Sequence, residues 1–151
     1  MARLAVARAS QQGATPLTLV PLKHVPLERV PYYMNGSSAL LMTSFIEGSP
    51  NVVKEAMACN LPVISVPVGD VAEQLAGVDG CAVVPRDPAV IAAALLKALT
   101  SGRRSDGRRA LIARSLDQLT VARRLVAIYS TVLAGWSGRT ARSKVVSEKV
   151  Y

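Results

Sequence analysis

Four short apolar runs constrain this chain more than any other feature: Leu17-Thr18-Leu19-Val20, Ala39 to Thr43, Pro62 to Val66, and Cys81 to Val84. Each is followed by a segment of helical character, and no hairpin turn joins one run to the next. Strands that alternate with helices pair side by side and parallel, because a crossover helix returns the chain to the same end of the sheet. Ala39 to Thr43 is apolar at successive positions, so both of its faces are covered, as in parallel sheets. The expected fold is therefore α/β, with a parallel sheet of about four strands and flanking helices.

The punctuation between the runs sets the helices. Residues 3–12 read as a helix that Gly13 stops. Pro26 to Asn35 reads as a helix that Pro31 kinks or restarts. Further helices are expected over about 50–59, 71–76 with Asp70 as cap, and Asp87-Pro88 to about Leu99. Residues 101–109 are Arg-rich and loop-like, with helix resuming over Leu111 to Ser115. A last helix runs through Leu133. Residues 135–151, GWSGRTARSKVVSEKVY, have no clear period and are expected to form a disordered basic tail after one domain over 1–134.

At 151 residues, half of them hydrophobic, the chain can build one domain with a real core. No apolar run reaches the roughly 18 residues of a spanning helix. The N-terminus lacks a signal-peptide core. The expected location is cytoplasmic, with peripheral contact at the inner face of a membrane as an option. Cys59 and Cys81 fit reduced core thiols, and the lone His24 leaves no metal cluster. Residues 1–100 balance seven Lys/Arg against seven Asp/Glu, while residues 101–151 hold eleven against three. The whole excess of +8 thus sits at the C-terminal end. It suits a solvated helix and tail, or a surface for anionic lipid, an acidic partner or nucleic acid; no specific nucleic acid is expected, and the lipid contact would be weak, through Arg139, Arg142, Lys144 and Lys149.

The stretch EGSPNVVKE, Glu47 to Glu55, places one carboxylate before a helix start and another about two turns inside it. Ser49 suits the N-cap and Pro50 the first helical position. The next N–H groups, Asn51 to Val53, lack intrahelical acceptors. Gly48 lets a ligand come close to the backbone. Such an end, just past a strand's C-terminus, attracts phosphate. Glu55 lies about 9 Å further along the axis at 1.5 Å per residue. Two acceptors flanking a phosphate cradle suit a nucleotide sugar, with hydroxyls on both sides of its phosphates. An ordinary capped helix with surface acids fits the same residues.

Residues 47–75, EGSPNVVKEAMACNLPVISVPVGDVAEQL, closely resemble the donor-site signature of retaining, nucleotide-sugar-dependent glycosyltransferases of the GT-B fold, the glycosyl transferases group 1 family. The matching features are Glu47, Glu55, Ala56-Met57-Ala58, Pro62-Val63 and Gly69. The resemblance runs from about residue 3 to Leu133. It implies that Glu47 contacts the donor sugar near the reacting centre and that Glu55 accepts hydrogen bonds from the ribose. Backbone N–H groups around Gly48, Ser49, Asn51 and Val52 would hold sugar and diphosphate. The loop Leu22 to Val25 would face the base through backbone near Val25. No cofactor or metal is implied; the nucleotide diphosphate sugar is a substrate. His24 stands where the family usually has Gly. Asn60 replaces the Gly common at the helix end, and Asn also suits a left-handed C-cap.

The resemblance also implies missing parts, so the chain reads as an incomplete GT-B C-terminal domain. The family's first strand of this domain, its Arg/Lys pair for the diphosphate, and the acceptor-binding domain have no counterpart here. In the strand order 3-2-1-4-5-6, two strands are absent between 17–21 and 39–43. Three inter-strand spacings, about 14 Å, would then separate apolar, unpaired edges. The expected function is that of a piece of a glycosyltransferase's Rossmann-like donor domain, inactive alone, either one half of a split enzyme completed by an N-terminal chain or a truncated remnant. Alternatives are a non-catalytic partner-binding module and a nucleotide-sugar epimerase fragment.

Overall fold

The computed structural model of the chain describes residues 1–142, with side chains described through Trp136. Its contacts form two compact units, Met1–Ala113 and Arg114–Tyr151. The first unit is an α/β layer structure. Its elements are α1 (Ala2–Gln12), a 3₁₀ turn (Leu27–Arg29), α2 (Val30–Gly36), β1 (Leu40–Met42), α3 (Asn51–Ala58), β2 (Val63–Ser65), α4 (Val71–Leu75), β3 (Ala82–Val83), α5 (Pro88–Ser101) and α6 (Gly107–Ala113).

The three strands are parallel and ordered β1-β2-β3. Leu41 lies opposite Ile64, and Ile64 opposite Ala82. The ladder continues past the strand ends through Leu40 N–H to Pro62 O (2.8 Å) and Val84 N–H to Ser65 O (2.8 Å). β2 is central and buried along its whole length. Val63, Ile64 and Val66 join Val53, Ala56 and Met57 of α3 and Ile91, Ala92 and Leu95 of α5 in the core. α1 lies on α5 through Ala5 and Ala9, both fully buried, whose small side chains let the helices approach closely. α6 meets α3 at Gly107, where a Cβ would stand 2.7 Å from the Met57 Cα.

Several local signals act as the residues dictate. Asp87 Oδ1 accepts from Ala89 N–H (2.6 Å) and Val90 N–H (3.2 Å), Pro88 takes the first helical position, and Gly102 closes α5 with φ +62. Pro31 restarts the helix: the 3₁₀ turn ends at Arg29 and α2 begins at Val30. Asn60 takes φ +53 just past α3, and its Oδ1 also accepts from Arg108 N–H at 2.9 Å.

Four expectations need correction. Leu17 to Val20 is extended but forms no strand, so the sheet has three strands rather than four. A strand needs a neighbour's ladder, and no described segment lies alongside this one; its Leu17 N–H instead donates to Ser10 Oγ at 3.0 Å. Between this segment and the open edge of β1 lies a cavity of about 660 Å³ with mainly apolar walls. The Arg-rich stretch is not loop throughout, because α6 starts at Gly107. Ser49 is not the cap of α3: Pro50 is, with extended ψ of 117°. Asp70 precedes α4 but makes no side-chain cap, because its carboxylate is engaged elsewhere.

The second unit holds α7 (Gln118–Arg142), opened by Asp117, whose Oδ1 accepts from Thr120 N–H at 2.9 Å. The helix extends through residues 135–142, eating into the segment expected as a tail. The remainder of that tail, with Lys144 and Lys149, lies outside the described residues. No described helix is long and apolar enough to cross a membrane.

Candidate functional site

The loop between β1 and α3 brings Glu47, Gly48, Ser49, Asn51 and Val52 together at the C-terminal end of a parallel strand. That is the edge where open α/β sheets present ligand sites. Glu55 lies one helical turn past Asn51 on α3. Val25 is on a separate loop before the 3₁₀ turn and has no hydrogen bond to the β1–α3 loop among the described residues.

The loop and the first turn of α3 present free donors and free acceptors side by side. Val53 N–H turns back to Pro50 O at 3.2 Å, while Asn51 and Val52 N–H have no acceptor among the described residues. The carboxylates of Glu47 and Glu55 have neither a hydrogen-bond nor an ion-pair partner among those residues. Glu47 and Gly48 are exposed, and a Cβ on Gly48 would meet nothing within 4 Å. Val52 is half-buried and borders the cavity beside β1.

Ser49 acts differently from its neighbours. Its hydroxyl donates to Asp70 Oδ2 (2.6 Å) and accepts from Lys54 Nζ (2.7 Å) and Gln74 Nε2 (3.3 Å). Gln74 also donates to Asp70 Oδ1. The Ser49 hydroxyl, then Gln74 and the Lys54 charge, hold the Asp70 carboxyl below its ordinary range. With its hydroxyl occupied, Ser49 has only its backbone left to offer a ligand. The sequence did not single out this cluster, although Ser49 and Lys54 share the quoted stretch.

Gly69 supports the loop from below. Its φ is +52, and a Cβ there would stand 2.0 Å from Gly48 O and 2.9 Å from Glu47 O. Next to it, Asp70 N–H donates to Gly48 O at 3.0 Å. The 69–70 turn thus fixes Gly48 through backbone alone, and only glycine fits where the two turns touch.

His24 takes φ +55, the left-handed region a glycine adopts freely. The loop carrying Val25 therefore keeps a glycine-like bend at His24 despite the side chain. Among the described residues no group of three or more His, Cys, Asp or Glu side chains is placed to hold a metal. Burial raises the Cys81 thiol above its ordinary value, which suits a core thiol rather than a nucleophile.

A sequence model described as Glycosyl transferases group 1 matches residues 6–101, a span that includes the sheet, the β1–α3 loop and both glutamates. No curated protein and no solved structure gives a significant match.

Proposed function

The chain belongs to the glycosyl transferases group 1 family, and on that footing we propose that its β1–α3 loop binds a nucleotide diphosphate sugar for transfer with retention of configuration. One observation carries this reading. Two carboxylates without partners, Glu47 and Glu55, lie on either side of unspent N–H groups at the start of α3. Free amides and the helix dipole favour the diphosphate, and each carboxylate is an acceptor for hydroxyls.

In this reading the N–H groups of Gly48, Ser49, Asn51 and Val52 hold the diphosphate and the sugar. Glu55 accepts from the ribose hydroxyls, and Glu47 lies against the sugar near its anomeric carbon. The base rests against backbone near Val25. The bond from the anomeric carbon to the diphosphate oxygen breaks, the acceptor's hydroxyl oxygen bonds to that carbon on the same face, and the hydroxyl proton passes to the departing diphosphate. No resident metal or cofactor takes part. The site is open toward solvent at Glu47, so the acceptor is met by a further surface, and the described residues turn over no donor unaided. A partner carrying that surface docks beside β1, where the open strand edge and the cavity are complementary to extended chain. The basic C-terminal residues Arg139, Arg142, Lys144 and Lys149 add weak contact with anionic lipid at a cytoplasmic membrane face.

Calorimetry with UDP, UDP-glucose, GDP and GDP-mannose tests the reading. Glu55→Ala should weaken nucleoside diphosphate binding by roughly 1.5–3 kcal/mol, the worth of hydrogen bonds to a charged acceptor. Unchanged affinity in a folded variant would move the ribose away from α3. A folded wild-type chain that binds none of the four would remove the donor reading.

A further inference from the structure

Arg86 lies just past β3, outside every residue assigned to the donor, and reaches back over the C-terminal end of the sheet. Its Nη1 donates to Thr43 O at 2.8 Å and its Nη2 to Ser44 O. The guanidinium carbon also lies 4.2 Å from the centre of the Phe45 ring. One side chain thus grips three consecutive residues of the loop that leads to Glu47. Among the described residues it pairs with no carboxylate.

The mounting of Arg86 is rigid. Asp87 N–H closes on Pro85 O at 2.7 Å, a tight turn with Arg86 at its centre. Asp87 then caps α5 through its side chain. Val84 is tied to β2 by its N–H to Ser65 O. The Arg86 Cα is therefore held from both sides, and its planar fork suits two neighbouring acceptors in a way a lysine ammonium does not.

Glu47 depends on such support. Its carboxylate has no partner among the described residues, so only its backbone sets its position. That backbone is fixed at Gly48 by Asp70 N–H. On the other side, Ile46 is almost fully exposed and Phe45 is held against the guanidinium. We propose that Arg86 is a positioning residue, which holds Glu47 against the donor sugar by clamping the Thr43 and Ser44 carbonyls. This rests on the donor reading of the β1–α3 loop.

The test compares wild type, Arg86→Lys and Arg86→Ala in the full chain by two readouts. In ¹⁵N relaxation, order parameters over 43–48 should be near 0.85 in wild type and fall to about 0.6 or lower in Arg86→Ala. Val63–Ser65 should not change, and Arg86→Lys should restore part of the loss. In calorimetry, the affinity that the sugar adds over the bare nucleoside diphosphate, for UDP-glucose or GDP-mannose, should shrink about fivefold or more in Arg86→Ala. Binding of the bare diphosphate should stay within about twofold. Unchanged loop order in Arg86→Ala overturns the clamp. Equal weakening of sugar-bearing and bare nucleotides overturns the action through Glu47. If wild type binds no nucleotide, the donor reading falls, and the relaxation readout alone decides whether Arg86 holds the Glu47 loop.

Discussion

Replacing Gly69 with alanine should damage the fold far more than replacing Gly48, although the two glycines touch. At Gly69 the backbone has φ +52, which costs an L-residue about 1–2 kcal/mol. The new Cβ would also stand 2.0 Å from Gly48 O and 2.8 Å from Gly48 C. Both are backbone atoms and cannot rotate aside, so the two turns must separate. That stretches the bond from Asp70 N–H to Gly48 O, worth about 0.5–1.5 kcal/mol. Forced separation in a packed region adds roughly 1–3 kcal/mol. The sum is about 3 kcal/mol or more, against a typical domain stability of about 5–15 kcal/mol. The midpoint of thermal unfolding should fall by roughly 10 °C or more at this size. Gly48 is the internal control, since a Cβ there meets nothing within 4 Å. Gly48→Ala should stay within about 0.5 kcal/mol of wild type. Urea unfolding of both variants decides the matter. A Gly69→Ala protein within about 1 kcal/mol of wild type would refute the argument, and so would equal losses in the two variants.

Arg104→Ala should cost about 1–2 kcal/mol in urea unfolding, at the lower end for charge-assisted bonds because the side chain is exposed. The guanidinium serves Ser37 O (2.8 Å), Cys59 O (2.9 Å) and Met34 O (3.3 Å), tying the ends of α2 and α3 together, and a neutral outcome would mean that water replaces it. The Asp70 carboxyl titrates below its ordinary value in the fold, so it favours folding above pH 4 or so and loses that contribution as pH falls through its folded pKa. Asp70→Asn should therefore lose less thermal stability than wild type between about pH 5 and about pH 3, and parallel losses in melting scans would exclude Asp70 as a source of acid sensitivity.

What the sequence disclosed was local. Asp87-Pro88 before α5 and Gly13 after α1 mark helix ends because capping needs only neighbouring residues. The runs at 39–43, 62–66 and 81–84 are strands because they pair with each other. Leu17 to Val20 has equal β character but no neighbour, and strand character alone does not make a ladder. The turn into α3 was legible because one stretch, Glu47 to Glu55, carries the acids, the glycine and the helix start. Its supports were not, because they come from Gly69, Asp70 and Arg86, and the Arg86 bonds span 42 and 43 residues.

The C-terminal charge shows the same limit from the other side. The excess over 101–151 reads as a solvated helix and tail, yet Arg104 and Arg108 direct donors to the backbone. Arg108 Nε donates to Ala58 O at 2.7 Å, and Arg104 to Cys59 O, both at the end of α3. The last carbonyls of a helix lack intrahelical donors and carry the negative end of its dipole, so they attract guanidinium groups. α3 is thereby held at its C-terminal end by arginines, while its N-terminal amides are left unspent. A helix anchored at its C-terminal end does not depend on its own first turn for stability. That division of labour explains why Asn51 and Val52 can keep free N–H groups in a well-packed unit.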